Sequence, residues 1–219
     1  MFETNPIIGR IRHRVAENLV ANMGHGQKHT RKVAIDAGAL MFIEGKRSGY
    51  QDAFLNRRMF LAQCAGILHD AKRKEKDHAI RGAEYARIVL RRLPLQLHEI
   101  EDVASAIRNH EAFKSLAKIN TIEGKLVSDC LYDADKFRWG SDNFEDTVWA
   151  MVRFFQTPLS CFMAQYSKGL KMIELIKPTF RSHTGKIYGP EFIDIGLDIG
   201  REIYKMIHMD FSCFLQKSL

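Results

Sequence analysis

A chain of 219 residues, 46% hydrophobic and 27% charged, has the balance of a soluble globular protein and enough length to bury a substantial core. It shows no charged-then-apolar leader and no apolar run long enough to span a bilayer, so a membrane role is not expected. A formal charge of +7 favours anionic partners: phosphorylated metabolites, nucleotides or, without specificity, nucleic acid.

In chain order, nearly every segment reads as helix. Residues 8 to 22 form a first amphipathic helix, and Gly24-His25-Gly26 make a loop that allows close backbone approach. A second helix begins near Gln27, carries His29, Val33, Ala37, Leu40 and Met41 on one face, and stops near Gly45 before the Ser48-Gly49 turn. Next comes a buried helix with Leu61, Ala65 and Leu68 at helical spacing, ending in the doublet His69-Asp70. Residues one apart on a helix diverge by roughly 100°, so the doublet could share one ion only at a helix end, where the backbone bends. The basic loop Lys72-Arg73-Lys74-Glu75-Lys76 follows, with Asp77 as N-cap of a helix whose face is His78, Gly82, Ala86, Val89 and Leu93. Ile100, Val103, Ile107 and His110 fall on one face of the next. A helix from about Thr121 to Trp139 contains Asp129, Asp133 and Asp135. Two long helical stretches, 142 to 176 and 190 to 215, flank a loop with Pro178, Gly185, Gly189 and Pro190. With no period-two pattern and no repeat, the class is all-α.

Cys64, Cys130, Cys161 and Cys213 are scattered through apolar helical stretches, which fits a reducing cytoplasm better than a disulfide framework. The histidines are more informative. His29, His69, His78 and His110 each sit on the apolar face of a separate helix, and every buried ring nitrogen needs a partner. A shared metal centre satisfies them together, and imidazole with carboxylate suits Zn²⁺, Mn²⁺ or Fe²⁺. Asp133 and Asp135 compete for the last ligand, because residues two apart on a helix point to nearly opposite sides. Asp133 groups with Asp129, Lys125 and Lys136 on a solvated, charge-balanced face; Asp135 shares its side with Leu131 and Ser128 and is the expected ligand.

The order His29, then His69-Asp70, then Asp135 resembles the HD superfamily of metal-dependent phosphohydrolases. Gly24 to Val33 is similar to that family's first-His helix, Cys64 to Asp70 to its doublet helix, and Asp133-Ala134-Asp135-Lys136-Phe137 to its last-ligand helix. The resemblance covers about residues 20 to 140. It implies an all-helical HD bundle at 1–140 with a C-terminal helical extension at 141–219 packed on it. It further implies a divalent ion (Mn, Fe, Ni, Co, Zn or Mg) held by His29, His69, Asp70 and Asp135, with Asp70 catalytic. His78 and His110 match the extra histidines of several HD branches, where they bind a second ion bridged by Asp70 or contact phosphate. One ion and two remain open. Two features depart from the family: Ala71-Lys72 replaces the small apolar-glycine pair after the doublet, and no Gly-Tyr-Pro segment of the cyclic-dinucleotide branch is present.

Lys72, Arg73, Lys136 and His25 are the candidate substrate contacts, since phosphoryl transfer needs charge neutralised around the phosphate. His98, His183 and His208 read as surface or packing residues, and Phe144, Val148, Met151, Val152 and Phe155 as core. That stripe packs the extension over the catalytic half or forms a homodimer surface. Hydrolysis of a phosphomonoester or nucleotide is the leading function. A di-iron HD-type oxygenase and a non-catalytic nucleotide sensor are the alternatives.

Overall fold

The computed structural model describes residues 2–16 and 26–210, so His25 and the loop before Gly26 lie outside the described residues. The described residues form helices and turns with no strand: α1 (Pro6–Ala16), α2 (Gln27–Arg47), α3 (Asp52–Leu68), α4 (His78–Leu90), α5 (Leu97–Arg108), α6 (Ile122–Lys136), α7 (Val148–Phe155), α8 (Leu159–Glu174) and α9 (His183–Asp210). No helix among them is long and apolar enough to cross a membrane.

The pair α2 and α3 forms the most extensive helix contact. Its closeness is built into Gly66, where an added Cβ would lie 2.7 Å from the Ala34 nitrogen and closer still to its Cα. Helix α6 is central: it packs on α2, α3, α5 and α9, and every residue from Val127 to Lys136 is buried. A helix buried all round must bury its polar groups too, so each needs a partner inside the protein.

Asp133 is one of these. The sequence places it on a solvated face, but it is wholly buried and accepts hydrogen bonds from the backbone N–H groups of Arg181 (2.8 Å) and Ser182 (2.7 Å). Ser182 caps α9 by accepting from Gly185 N, and Glu44 of α2 accepts from Thr184 N at 2.7 Å. Two buried carboxylates thus hold the positive end of α9 on the core.

Other differences have equally local causes. Asp77 does precede α4, but with left-handed backbone (φ 55°) and no side-chain cap. Helix α6 ends at Lys136 and tightens into a 3₁₀ turn at Phe137–Trp139. The expected helix over 142 to 176 is broken by a π turn at Asn143–Thr147 and by Gln156, left-handed at φ 48°. Conversely α9 runs through Gly185, Gly189 and Pro190, which were expected in a loop. Proline disfavours helix at the preceding residue partly through that residue's Cβ, and here the residue is glycine. Gly189 also seats the Phe180 ring, which an added Cβ would strike.

Candidate metal centre

Each of the six sequence-predicted ligand positions sits at a helix terminus or on a buried face. His29 comes from the first turn of α2, and His69 is the C-cap of α3, with Asp70 in the turn beyond. His78 opens α4, His110 follows the end of α5, and Asp135 lies in the last turn of α6. The doublet therefore does occupy a helix end.

The side chains converge in two sets that share Asp70. His29 Nε2 is 3.3 Å from His69 Nε2, 3.3 Å from Asp135 Oδ1 and 3.8 Å from Asp70 Oδ2. His69 Nε2 is 3.4 Å from Asp70 Oδ2 and 3.6 Å from Asp135 Oδ1. The second oxygen, Asp70 Oδ1, is 3.6 Å from His110 Nε2 and 3.8 Å from His78 Nε2, and those two nitrogens are 3.3 Å apart. His110 is buried, and His78 is partly so.

Tautomers follow from the outer nitrogens. His69 Nδ1 is 2.8 Å from the Gly66 carbonyl and His110 Nδ1 is 2.6 Å from the Ile107 carbonyl. A carbonyl only accepts, so each Nδ1 carries a proton, which leaves Nε2 as the inward-facing nitrogen able to bind an ion. Inward-facing nitrogens and carboxylate oxygens 3.3–3.8 Å apart repel unless a cation lies among them. Ligand bonds of about 2.1 Å put neighbouring donors roughly 3.0–3.4 Å apart, so these residues fit a divalent ion.

Electrostatics agree. Burial pushes His29 down, and burial with His110 and Arg73 pushes His78 down to about 4, so both are neutral donors at neutral pH. Burial opposes ionisation of Asp135, yet Lys136 and the imidazoles of His29 and His69 hold it well below the usual carboxylate range. Burial also opposes a charge on His69, but Asp70 and Asp135 outweigh it and raise the group, so in the metal-free protein protons compete for this ring.

The candidate substrate contacts separate. Lys136 Nζ is 2.5 Å from Asp135 Oδ2, Arg73 is 3.0 Å from His78 Nε2 and 3.7 Å from Asp70 Oδ1, and both line the cavity beside the centre. Lys72 does not line it: its ammonium pairs with Glu75 at 2.9 Å and lies over the Tyr85 ring. Sequence reasoning missed Glu111, 3.9 Å from His78 Nδ1, although it directly follows His110. It also missed Asn143, a buried cavity residue with no periodic signal. The stripe expected to be core is corrected in part: Phe144 is buried, but α7 has no buried residue and its Val148, Met151, Val152 and Phe155 face the cavity. His98, His183 and His208 are exposed, His208 stacking on Tyr204.

An all-helical bundle that gathers His, His-Asp and Asp from separate helices, with two further histidines beside them, has the arrangement of an HD domain. The model of the HD domain family matches residues 26–138, and the chain belongs to that family. Similar solved structures include a predicted HD superfamily hydrolase from an uncultured Thermotogales bacterium, 21% identical over 93% of this chain and 95% of its own, TM-score 0.55. A Lactobacillus plantarum protein is 15% identical over 94% and 99%, TM-score 0.64. At these identities they show a shared fold. None of the curated proteins compared with the chain is a significant match.

Proposed function

We propose that the protein is a phosphohydrolase that holds two divalent ions and releases phosphate from a phosphomonoester or nucleotide. The observation that carries this reading is Asp70, whose two oxygens each face a different imidazole pair, the arrangement of a bridging carboxylate. Bound there, divalent ions would lower the pKa of a water toward neutrality and polarise a phosphoryl oxygen.

The chain's own groups do the rest. The carbonyls of Gly66 and Ile107 fix the rings of His69 and His110, so the donor atoms need no reorganisation. Lys136, buried against Asp135, and Arg73, at the cavity's edge, neutralise charge on the phosphate. Arg73 has a second role: its guanidinium donates to the lone pair of His78, where an ion would bind. Its side chain is 38% exposed and can swing toward the phosphate when an ion takes that place.

The test is elemental analysis of the purified protein followed by a phosphate-release panel with Mn²⁺, Co²⁺, Ni²⁺ and Mg²⁺. Two ions per chain and phosphate release are expected. Tightly held iron with O₂ uptake and no phosphate release would replace this reading with the oxygenase.

A further inference from the structure

The cavity beside the metal centre has a volume of about 620 Å³, ample for a ligand much larger than phosphate. Its two ends differ in chemistry. One is the charged end, where His29, Asp70, His110, Asp135, Arg73 and Lys136 meet. Beyond Asn143 the wall is supplied by α7 and α8 and is apolar, with Phe144, Met151, Val152, Phe155, Leu170 and Ile173 along it.

Two observations say that this wall is built for a ligand. Helix α7 buries none of its residues and packs chiefly on the π turn before it, leaving Trp149, Phe154 and Phe155 exposed by 39%, 42% and 59%. Such a helix is poorly stabilised by its own contacts, so an apolar occupant gives its inner face something to bury. The second observation is Asn143, 1% exposed and lining the cavity. Among the described residues, neither its amide nitrogen nor its amide oxygen has a hydrogen-bond partner. Two other buried residues of this wall carry hydroxyls, Thr147 and Tyr166, and Tyr166 already donates to the Gly200 carbonyl at 2.8 Å.

We infer that the substrate is an amphipathic phosphomonoester: phosphate at the charged end, a large hydrophobic body along α7 and α8, and one hydrogen-bonding group opposite Asn143. This deepens the phosphohydrolase reading and rests on it. A sugar phosphate or nucleotide presents several hydroxyls and base edges, for which this wall offers few buried partners; a hydrophobic alcohol presents none that need them. In the reaction, water oxygen bonds to phosphorus as the ester P–O bond breaks, and of the two water protons one ends on the alcohol and one on phosphate.

The experiment measures kcat/KM for phosphate release along the n-alkyl phosphates from ethyl to decyl, with AMP and glucose 6-phosphate for comparison. Calorimetric binding of the matching alkylphosphonates, which cannot be hydrolysed, runs in parallel. Both quantities should rise by up to roughly fourfold per methylene and exceed those of AMP. Val152→Glu, on the cavity face of α7, should flatten the slope. Decyl phosphate presented free and in phosphatidylcholine vesicles distinguishes a soluble metabolite from a lipid headgroup. An ester with an amide in its chain should bind better than decyl phosphate, and Asn143→Leu should erase that preference. Phosphate release that is flat along the series and fastest with AMP would overturn the inference and leave the hydrolase reading standing. A phosphonate affinity that climbs with chain length, without release from any ester, would sustain the cavity assignment and remove the hydrolase.

Discussion

Asp70 turns one oxygen to each imidazole pair, so under the proposed two-ion reading its loss cannot be confined to one ion. Asp70→Ala should abolish both metal content and turnover, whereas His78→Ala should leave about one ion per chain, read by elemental analysis. Arg73 competes for the same His78 lone pair that the second ion needs. Arg73→Ala should therefore tighten that ion, by up to about fivefold since the competing charge is partly solvated, while weakening phosphate binding. An equal loss at both ion sites would contradict this. Asn143→Leu replaces an unsatisfied buried amide with an apolar group of similar size, which should stabilise the ligand-free protein by about 1 kcal/mol and raise Tm by roughly 2–4 °C. The convergence of the candidate ligands was legible because each lies in a local word whose neighbours set helix and face. Asn143 was not, because its isolation is made by the π turn and by helices distant in sequence.

At the scale of elements, the bundle's precision rests on close approaches. Gly66→Ala would push α2 from α3, and with it His29 from His69. The expected loss is about 1–3 kcal/mol in stability, accompanied by weaker metal binding, measurable by urea unfolding and metal titration. Helices α3 and α5 are tied by Arg57, which reaches Glu99 through Nε at 2.7 Å and through a second nitrogen at 2.6 Å, and Glu99 also accepts from Gln96 N. Arg57 holds Glu99 below its ordinary value of 4.5. A depressed acid contributes stability above the unfolded pKa and loses it as pH falls through the folded one. Tm should consequently drop on acidification below about 4.5, and less so in Glu99→Gln. Helices α2, α4 and α5 could be read from periodicity because each buries chiefly one face, and α3 and α6, buried all round over their second halves, from their runs of apolar residues at helical spacing. After residue 141 the same period misled: α7 turns its stripe to a cavity, and Gly189 lets α9 pass through a proline that normally ends a helix.

For the whole molecule, the net charge of +7 points toward an anionic partner, the sign that the proposed phosphate site edged by Arg73 and Lys136 would take, but it gives no size or shape. Those arise from the extension, which supplies most of the cavity wall. The attachment of α9 has one more consequence, for anyone who would shorten the chain. Asp133 and Glu44 face inward because α9 brings amide hydrogens to them. Expressing the chain only to residue 176 would remove those donors, leaving Asp133 without its two backbone donors and Glu44, among the described residues, with only the Arg47 guanidinium, 3.9 Å away. Water would have to reach α6 from the side opposite the metal ligands, loosening the helix that carries Asp135. The truncated protein should express mainly as aggregate, and any soluble fraction should bind metal poorly; a well-folded, metal-loaded fragment would show that α9 is dispensable to the core.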